Sequence, residues 1–164
     1  LVRTEGAVLK LEIVDINNVL NELCDEWSFL AAENEIELIF ETSEQFECLT
    51  NELALREIIG NYIDNAIEHS PPKAKINVIA QRISNQVVVI IRDQGPGLTA
   101  DQRARAFDRF WRGAKTRDSA SGAQGSGLGL AIAAQLALSS NMNLELMPSP
   151  TGVGLDAIVR IKTS

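Results

Sequence analysis

The run of apolar residues from Val87 to Ile91 constrains the fold of this chain more than any other stretch. A strand that is apolar at every position is typical of the centre of a sheet, where both of its faces are covered. The preceding residues 74–83 are indicated as a second strand, and Ser84-Asn85 between the two stretches indicates a hairpin turn. The sequence therefore predicts a layered fold built around the strand that contains Val87 to Ile91.

The other elements follow one another in a mixed order. Apolar residues at helical spacing, with Asp15 and Thr99 as N-caps, indicate helices at 15–33, 51–69, 99–112 and 128–140. Further strands are indicated at 9–15, 35–41, 46–50, 143–147 and 154–161. We expect 46–50 to pair with 35–41 after a short turn, and the last two strands to form a hairpin. This order predicts an α+β fold with helices on one face of a mixed or antiparallel sheet.

Composition limits the kinds of partner. The 164 residues fit one domain, and the net charge of −7 argues against nucleic acid, because phosphate binding needs a basic surface. Cys24 and Cys48 form neither a disulfide framework nor a metal spacing, which indicates a reducing compartment. No apolar run approaches the ~18 residues of a transmembrane helix, and no signal peptide is visible. The chain begins at Leu1 rather than Met, so we expect an excised piece of a longer protein.

The helix predicted at 51–69 carries a polar stripe. Asn61 and Asn65 lie one turn apart, and Glu57 and either Glu68 or His69 continue the same face. An unpaired buried amide costs about 1–3 kcal/mol, so these groups need partners, which are either other protein groups or a bound ligand. Asparagine oxygens beside a carboxylate suit a hard cation such as Mg²⁺.

The segment "RDQGPGL" follows the central strand. Asp93 stands at the end of that strand, while Gly95 and Gly97 allow tight turns and the close approach of a ligand. The alternative is a simple tight turn with Asp93 as the turn-forming residue.

The segment "GSGLGLAI" (125–132) runs directly into a predicted helix. The N–H groups at a helix N-terminus form an anion site, whereas the alternative is a flexible loop leading into an ordinary helix. The segment does not match the P-loop pattern, which is absent from the chain. It also differs from the dinucleotide fingerprint, because Leu130 occupies the last glycine position and a loop precedes it.

The segment "FDRFWRGAK" combines aromatic residues with cations. Phe107 and Phe110 either dock a short helix on the core or anchor one end of the glycine-rich loop, whose cations Arg112 and Lys115 then lie over a phosphate. In chain order, the four segments supply a metal ligand, a buried acid, a basic lid and a phosphate-binding helix start. Together they are the parts of a nucleotide site.

The order of these motifs resembles the catalytic and ATP-binding domain of sensor histidine kinases, a branch of the ATPase group that includes Hsp90, DNA gyrase and MutL. "NYIDNA" is similar to the N box, "DQGPG" to the G1 box, "FDRFWR" to the F box and "GSGLGL" to the G2 box. The resemblance covers essentially the whole chain, a single domain at 1–164. It implies the Bergerat (GHKL) fold, a two-layer α/β sandwich. In that fold a mixed, largely antiparallel sheet of about five strands has an N-terminal hairpin and three helices on one face. It also implies that 1–8 belong to a linker from a missing dimerisation domain and that 113–126 form the ATP lid.

The resemblance implies a role for each motif residue. Asn61 is similar to the magnesium ligand, Glu57 would reach the metal through water, and Arg112 would reach the terminal phosphate; these are the catalytic residues. Asp93 resembles the aspartate that accepts a hydrogen bond from the adenine amino group. The implied nucleotide-binding residues are Asn61, Asn65, His69, Asp93, Gly95, Gly97, Lys115, Gly125, Ser126, Gly127, Leu128 and Gly129. Phe107 and Phe110 resemble the anchors of the lid.

The chain departs from the family pattern in two places. Glu68-His69 stands where many members have Lys-Tyr, which removes a possible phosphate cation and replaces an aromatic ring near the adenine by an imidazole. Asp108 stands where glutamate is usual.

The implied activity is transfer of the γ-phosphoryl group of Mg²⁺-ATP to a histidine on a separate helical dimerisation domain, for relay to an aspartate of a response regulator. The only histidine here, His69, lies inside the N box and is followed by Ser-Pro-Pro. We therefore expect negligible autophosphorylation of the chain by itself. We also expect the isolated chain to be monomeric and to make no direct membrane contact, as the cytoplasmic domain of a membrane-anchored sensor.

Three alternatives remain open. An anti-sigma-type serine kinase would share the fold, but the "FDRFWR" box argues against it. A degenerate nucleotide-binding scaffold is disfavoured by the intact Asn61, Asp93 and glycine set. A hydrolysing ATPase would need a water-activating glutamate, for which Glu57 is the candidate, and would release phosphate without an acceptor domain.

Overall fold

The main sheet has five strands with the apolar strand at its centre. The computed structural model describes residues 9–108 and 129–163. Its helices are α1 (Ile16–Glu33), α2 (Glu52–His69), α3 (Ala100–Arg105) and α4 (Gly129–Leu138). Its strands are β1 (Glu12–Asp15), β2 (Glu37–Thr42), β3 (Glu47–Thr50), β4 (Lys75–Ile83), β5 (Gln86–Arg92), β6 (Met142–Pro148) and β7 (Leu155–Lys162). The strand order is β2-β4-β5-β7-β6, which confirms the central position of β5.

Helices α1, α2 and α4 cover one face of this sheet. Helix α2 contacts β5 and both neighbouring helices, while α1 lies on β2 and α4 on β6. Helix α2 buries a broad apolar face made of Leu55, Ile58, Ile59, Tyr62, Ile63 and Ile67. The Tyr62 hydroxyl crosses the layers and donates a hydrogen bond to the Ile158 carbonyl at 3.1 Å. The two-layer α+β sandwich is thereby confirmed.

Side chains cap α1, α2 and α3, and the caps of α1 and α3 are those that the sequence predicts. Asp15 accepts a hydrogen bond from the Asn18 N–H at 3.0 Å, and Thr99 forms a reciprocal capping box with Gln102. Asn51 caps α2 by accepting from the Ala54 N–H at 2.9 Å. These caps fix where each helix begins, and α2 ends at His69, just before Ser70 and the two prolines.

The predicted pairing of 46–50 with 35–41 is wrong. Strand β3 pairs antiparallel with β1 in a separate two-stranded sheet, and β2 pairs parallel with β4. The expected N-terminal hairpin is therefore replaced by the antiparallel pair β1 and β3, which are separated in the sequence by α1 and β2. The buried Asn17 explains the difference, because its side chain accepts from the Phe46 N–H at 2.8 Å and donates to the Glu44 carbonyl at 2.9 Å. These bonds hold the β2–β3 connection against the start of α1.

Within the described ranges, no helix is both long and apolar enough to cross a membrane.

Candidate functional site

The polar stripe of α2 faces the beginning of α4. The Asn61 side-chain nitrogen donates to the Glu57 carbonyl one turn back, at 3.0 Å. Its oxygen Oδ1 points towards Gly129, where a Cβ atom would lie only 2.8 Å from it. A glycine at the first position of α4 therefore lets the two helices meet at the Asn61 oxygen.

Two side chains of the stripe, Asn65 and Glu57, are without a protein partner in the part of the chain that the structure describes. The Asn65 carboxamide and the Glu57 carboxylate have no hydrogen-bond or ion-pair partner among residues 9–108 and 129–163. The Asn65 carbonyl lies 2.8 Å from Nδ1 of His69, which ties the imidazole to its own helix. The Asn65 and Glu57 side chains are therefore open to solvent or to a ligand.

Asp93 follows β5 and is buried, with 7% of its surface exposed. Its oxygen Oδ1 accepts hydrogen bonds from the N–H groups of Gly95 and Leu155, each at 3.0 Å. Burial raises the pKa of Asp93, the two N–H groups and His69 oppose that rise, and Asp156 adds to it. In the described part of the chain, Oδ2 has no partner and is the oxygen left to accept a further hydrogen bond.

The glycines after Asp93 are required by close backbone contacts. A Cβ atom on Gly95 would lie 2.5 Å from the His69 carbonyl oxygen, so the loop packs directly against the end of α2. Gly97 adopts φ +74°, a left-handed conformation that glycine adopts without strain. The loop and the polar stripe of α2 therefore meet at one place, with Asp93 beside His69.

Gly154 belongs to this site and was missed by the sequence reasoning, which placed it only at the start of the last strand. Its φ is +94°, and a Cβ atom there would lie 2.0 Å from the Asp93 carbonyl oxygen. Nothing local in "TGVG" indicates this contact. It arises because β7 pairs with β5 and thus brings the start of β7 beside Asp93.

The remaining predicted residues divide into two groups. Phe107 packs against the core just after α3, as expected for an aromatic that docks this segment. The second group lies outside the described residues and consists of Phe110, Arg112, Lys115, Gly125, Ser126, Gly127 and Leu128. The predicted linker at 1–8 and the predicted lid at 113–126 also lie outside them.

A separate open cleft of about 630 Å³ lies between α1 and α2. Only Glu57 and Asn61 of the predicted residues line it, together with Trp27, Arg56 and Asp64. Because Asp93 is absent from its walls, the candidate site is defined by the convergence of polar groups rather than by this cleft.

Comparison with known proteins gives the class of this domain. Residues 50–164 match the model of the histidine kinase-, DNA gyrase B-, and HSP90-like ATPase family. The chain is 32% identical to the swarming motility regulation sensor protein RssA of Serratia marcescens over 72% of its own length, and that region spans 25% of RssA. The chain thus belongs to this ATPase family.

Two solved structures are similar to this chain, and the first gives the branch of the family. The mycobacterial sensor histidine kinase MprB is 26% identical with a TM-score of 0.78, covering 93% of this chain and 97% of that one. Full-length ShkA in complex with AMPPNP is 27% identical with a TM-score of 0.80, covering 96% of this chain and 32% of that one. The chain is the ATP-binding catalytic domain of a histidine kinase.

Proposed function

We propose that this domain binds Mg²⁺-ATP between the polar stripe of α2, the loop after Asp93 and the start of α4. In this proposal it transfers the γ-phosphoryl group to a histidine on a separate helical domain. The observation that carries the proposal is the convergence of unpaired polar atoms at this place. Three groups have no hydrogen-bond partner in the described part of the protein: Oδ2 of Asp93, Oδ1 of Asn61 and the Asn65 carboxamide.

Asp93 is suited to select adenine. Oδ1 is held by two N–H groups, so Oδ2 is presented as a fixed hydrogen-bond acceptor. An exocyclic amino group donates to such an acceptor, whereas the carbonyl of guanine at the same ring position is another acceptor and is rejected.

The residues of the stripe fit a magnesium ion. Mg²⁺ prefers oxygen ligands and commonly takes one or two protein oxygens, with water and phosphate completing its octahedron. Asn61 offers Oδ1 as a direct ligand, and the exposed Glu57 one turn earlier is placed to act through water. When bound, the ion would neutralise negative charge on the phosphates.

The phosphates belong at the start of α4 in this proposal. The first N–H groups of a helix point out of its N-terminus and favour anions. Gly129 begins α4 beside Asn61, which brings the proposed metal ligand and the helix N-terminus together. Gly125, Ser126, Gly127 and Leu128 directly precede this point and remain predicted phosphate contacts, as do Arg112 and Lys115.

The phosphoacceptor is expected on another domain. His69 is half-buried, bonded through Nδ1 to its own helix and packed beside the Asp93 loop. The proposed partners are therefore a dimerisation domain that carries the acceptor histidine, and a response regulator. We further propose a cytoplasmic location in a membrane-anchored sensor. The sensor-kinase relatives do not favour the serine-kinase alternative.

Calorimetric titration with a non-hydrolysable ATP analogue, in Mg²⁺ and in chelator, tests the role of Asn61. We expect the wild type to bind at least about tenfold more tightly with Mg²⁺, and Asn61→Ala to lose most of that difference. Asn21→Ala, an exposed asparagine on α1, is the matched control and should behave as wild type. An unchanged magnesium dependence in Asn61→Ala would overturn the metal assignment.

A further inference from the structure

The turn formed by residues 149–154, between β6 and β7, lies against the back of Asp93. Two backbone atoms of Leu155, the residue after this turn, bond to Asp93. The Asp93 N–H donates to the Leu155 carbonyl at 3.0 Å, and the Leu155 N–H donates to Oδ1 at 3.0 Å. The same residue therefore holds both the main chain and the carboxylate of Asp93.

Gly154 makes this double contact possible. A Cβ atom on Gly154 would lie 2.0 Å from the Asp93 carbonyl oxygen and 2.9 Å from Oδ1. Contacts this short do not occur in folded proteins, so any side chain at 154 would push β7 and the Asp93 loop apart. The neighbouring glycine of the loop is also involved, because a Cβ atom on Gly97 would lie 3.0 Å from the Gly154 carbonyl oxygen.

The turn itself is braced by its own hydrogen bonds. The Ser149 N–H donates to the Gly154 carbonyl at 3.2 Å, and the Gly152 N–H donates to the Ser149 carbonyl at 3.0 Å. The hydroxyl groups of Ser149 and Thr151 are 2.9 Å apart, and the Thr151 hydroxyl donates to the Val153 carbonyl at 3.1 Å. A braced turn cannot yield easily to a bulkier residue at its end.

We propose that Gly154 is a positioning residue for adenine recognition, acting through the Leu155 N–H to fix the direction of the Asp93 carboxylate. This inference rests on the proposed function, since it explains how the site would choose its base. With Oδ1 held by Gly95 and Leu155, the carboxylate cannot rotate, and Oδ2 keeps one orientation. Without the Leu155 bond, only the Gly95 N–H holds Oδ1, so the carboxylate can turn about its Cβ–Cγ bond and Oδ2 no longer presents a fixed direction to an amino group.

The chain offers a matched control within the same turn. Gly152 has φ +88°, close to the φ of Gly154, but a Cβ atom there meets nothing within 4 Å. Gly152→Ala and Gly154→Ala therefore impose similar backbone strain, and only Gly154→Ala disturbs Asp93. We expect ADP affinity to fall at least about tenfold in Gly154→Ala, with a smaller preference for ADP over GDP. Gly152→Ala should stay within about twofold of wild type.

An NMR titration of the ligand-free protein reads the positioning directly. In wild type and Gly152→Ala, the amide resonances of Leu155 and Gly95 should shift together as Asp93 titrates, and in Asp93→Asn neither should. In Gly154→Ala the Leu155 response should be lost. His69 and Asp156 are the other titratable groups near this carboxyl, and variants of each separate their contributions.

The outcomes are distinguishable. Wild-type affinity in a folded Gly154→Ala protein, or a wild-type Leu155 amide that ignores the titration of Asp93, would overturn the positioning role. The second result decides the matter even where Gly154→Ala does not fold. A wild-type protein that binds no adenine nucleotide, but whose Leu155 amide follows Asp93, would instead overturn the proposed function and with it the adenine part of this inference.

Discussion

At Asp93, burial and hydrogen bonding act on one carboxyl group in opposite directions. Burial raises its pKa, whereas the N–H groups of Gly95 and Leu155 stabilise the charged form. Burial is the larger effect, so folding costs more free energy with Asp93 charged than with Asp93 as the neutral acid. A buried charged hydrogen-bond acceptor lowers the stability of the fold and is typical of a functional site.

We therefore expect Asp93→Asn to stabilise the fold while it removes the proposed adenine contact. The pKa is raised on folding, so the folded protein binds this proton more tightly than the unfolded chain does. The free energy of unfolding then falls as pH rises from the ordinary aspartate pKa through the raised one. Asparagine keeps an oxygen for the two N–H donors and carries no charge. Urea denaturation at several pH values should show a gain above that window that disappears below it.

The exposed Asp101→Asn, which removes the same charge from the first turn of α3, is the control for net charge. A gain of the same size at every pH, or a stability loss at neutral pH, would contradict the cost assigned to the Asp93 charge.

Among the helices and strands, the features that depend on neighbouring residues were predicted correctly from the sequence. The caps of α1 and α3, the apolar face of α2 and the β4–β5 hairpin follow from short-range spacing and were confirmed. The partner of β3 was predicted wrongly, because the choice depends on Asn17, whose contacts lie 27 and 29 residues away. No short-range rule distinguishes this buried asparagine from the exposed Asn18 beside it.

Asn17→Ala should destabilise the protein by about 1–3 kcal/mol, because it leaves the buried Phe46 N–H and the Glu44 carbonyl without this partner. The change should also loosen the connection between β2 and β3, raising amide exchange at Phe46. Asn18→Ala, one position along the same helix and exposed, should change stability by no more than about 0.5 kcal/mol. Equal effects of the two substitutions in chemical denaturation would refute the role given to Asn17.

For the whole molecule, the candidate site is a product of strand order. Sequence motifs indicated Asn61, Asp93 and Gly129 separately, and the resemblance connected them, but the contribution of the last hairpin was invisible. Because β7 lies between β5 and β6, the turn before β7 lies against Asp93. Gly154 of this turn contacts Asp93 although the two residues are 61 positions apart in the sequence. Such a contact depends on which strands pair, and pairing is decided by packing across the whole sheet rather than by the residues of the turn.

Adenine selection by Asp93 is the property on which the proposed function depends, and titration calorimetry of wild type and Asp93→Asn with ADP and GDP measures it. We expect wild type to bind ADP at least about tenfold more tightly than GDP, and Asp93→Asn to remain folded but to lose this preference. Equal affinity of the wild type for the two nucleotides, or an undiminished preference in Asp93→Asn, would contradict it.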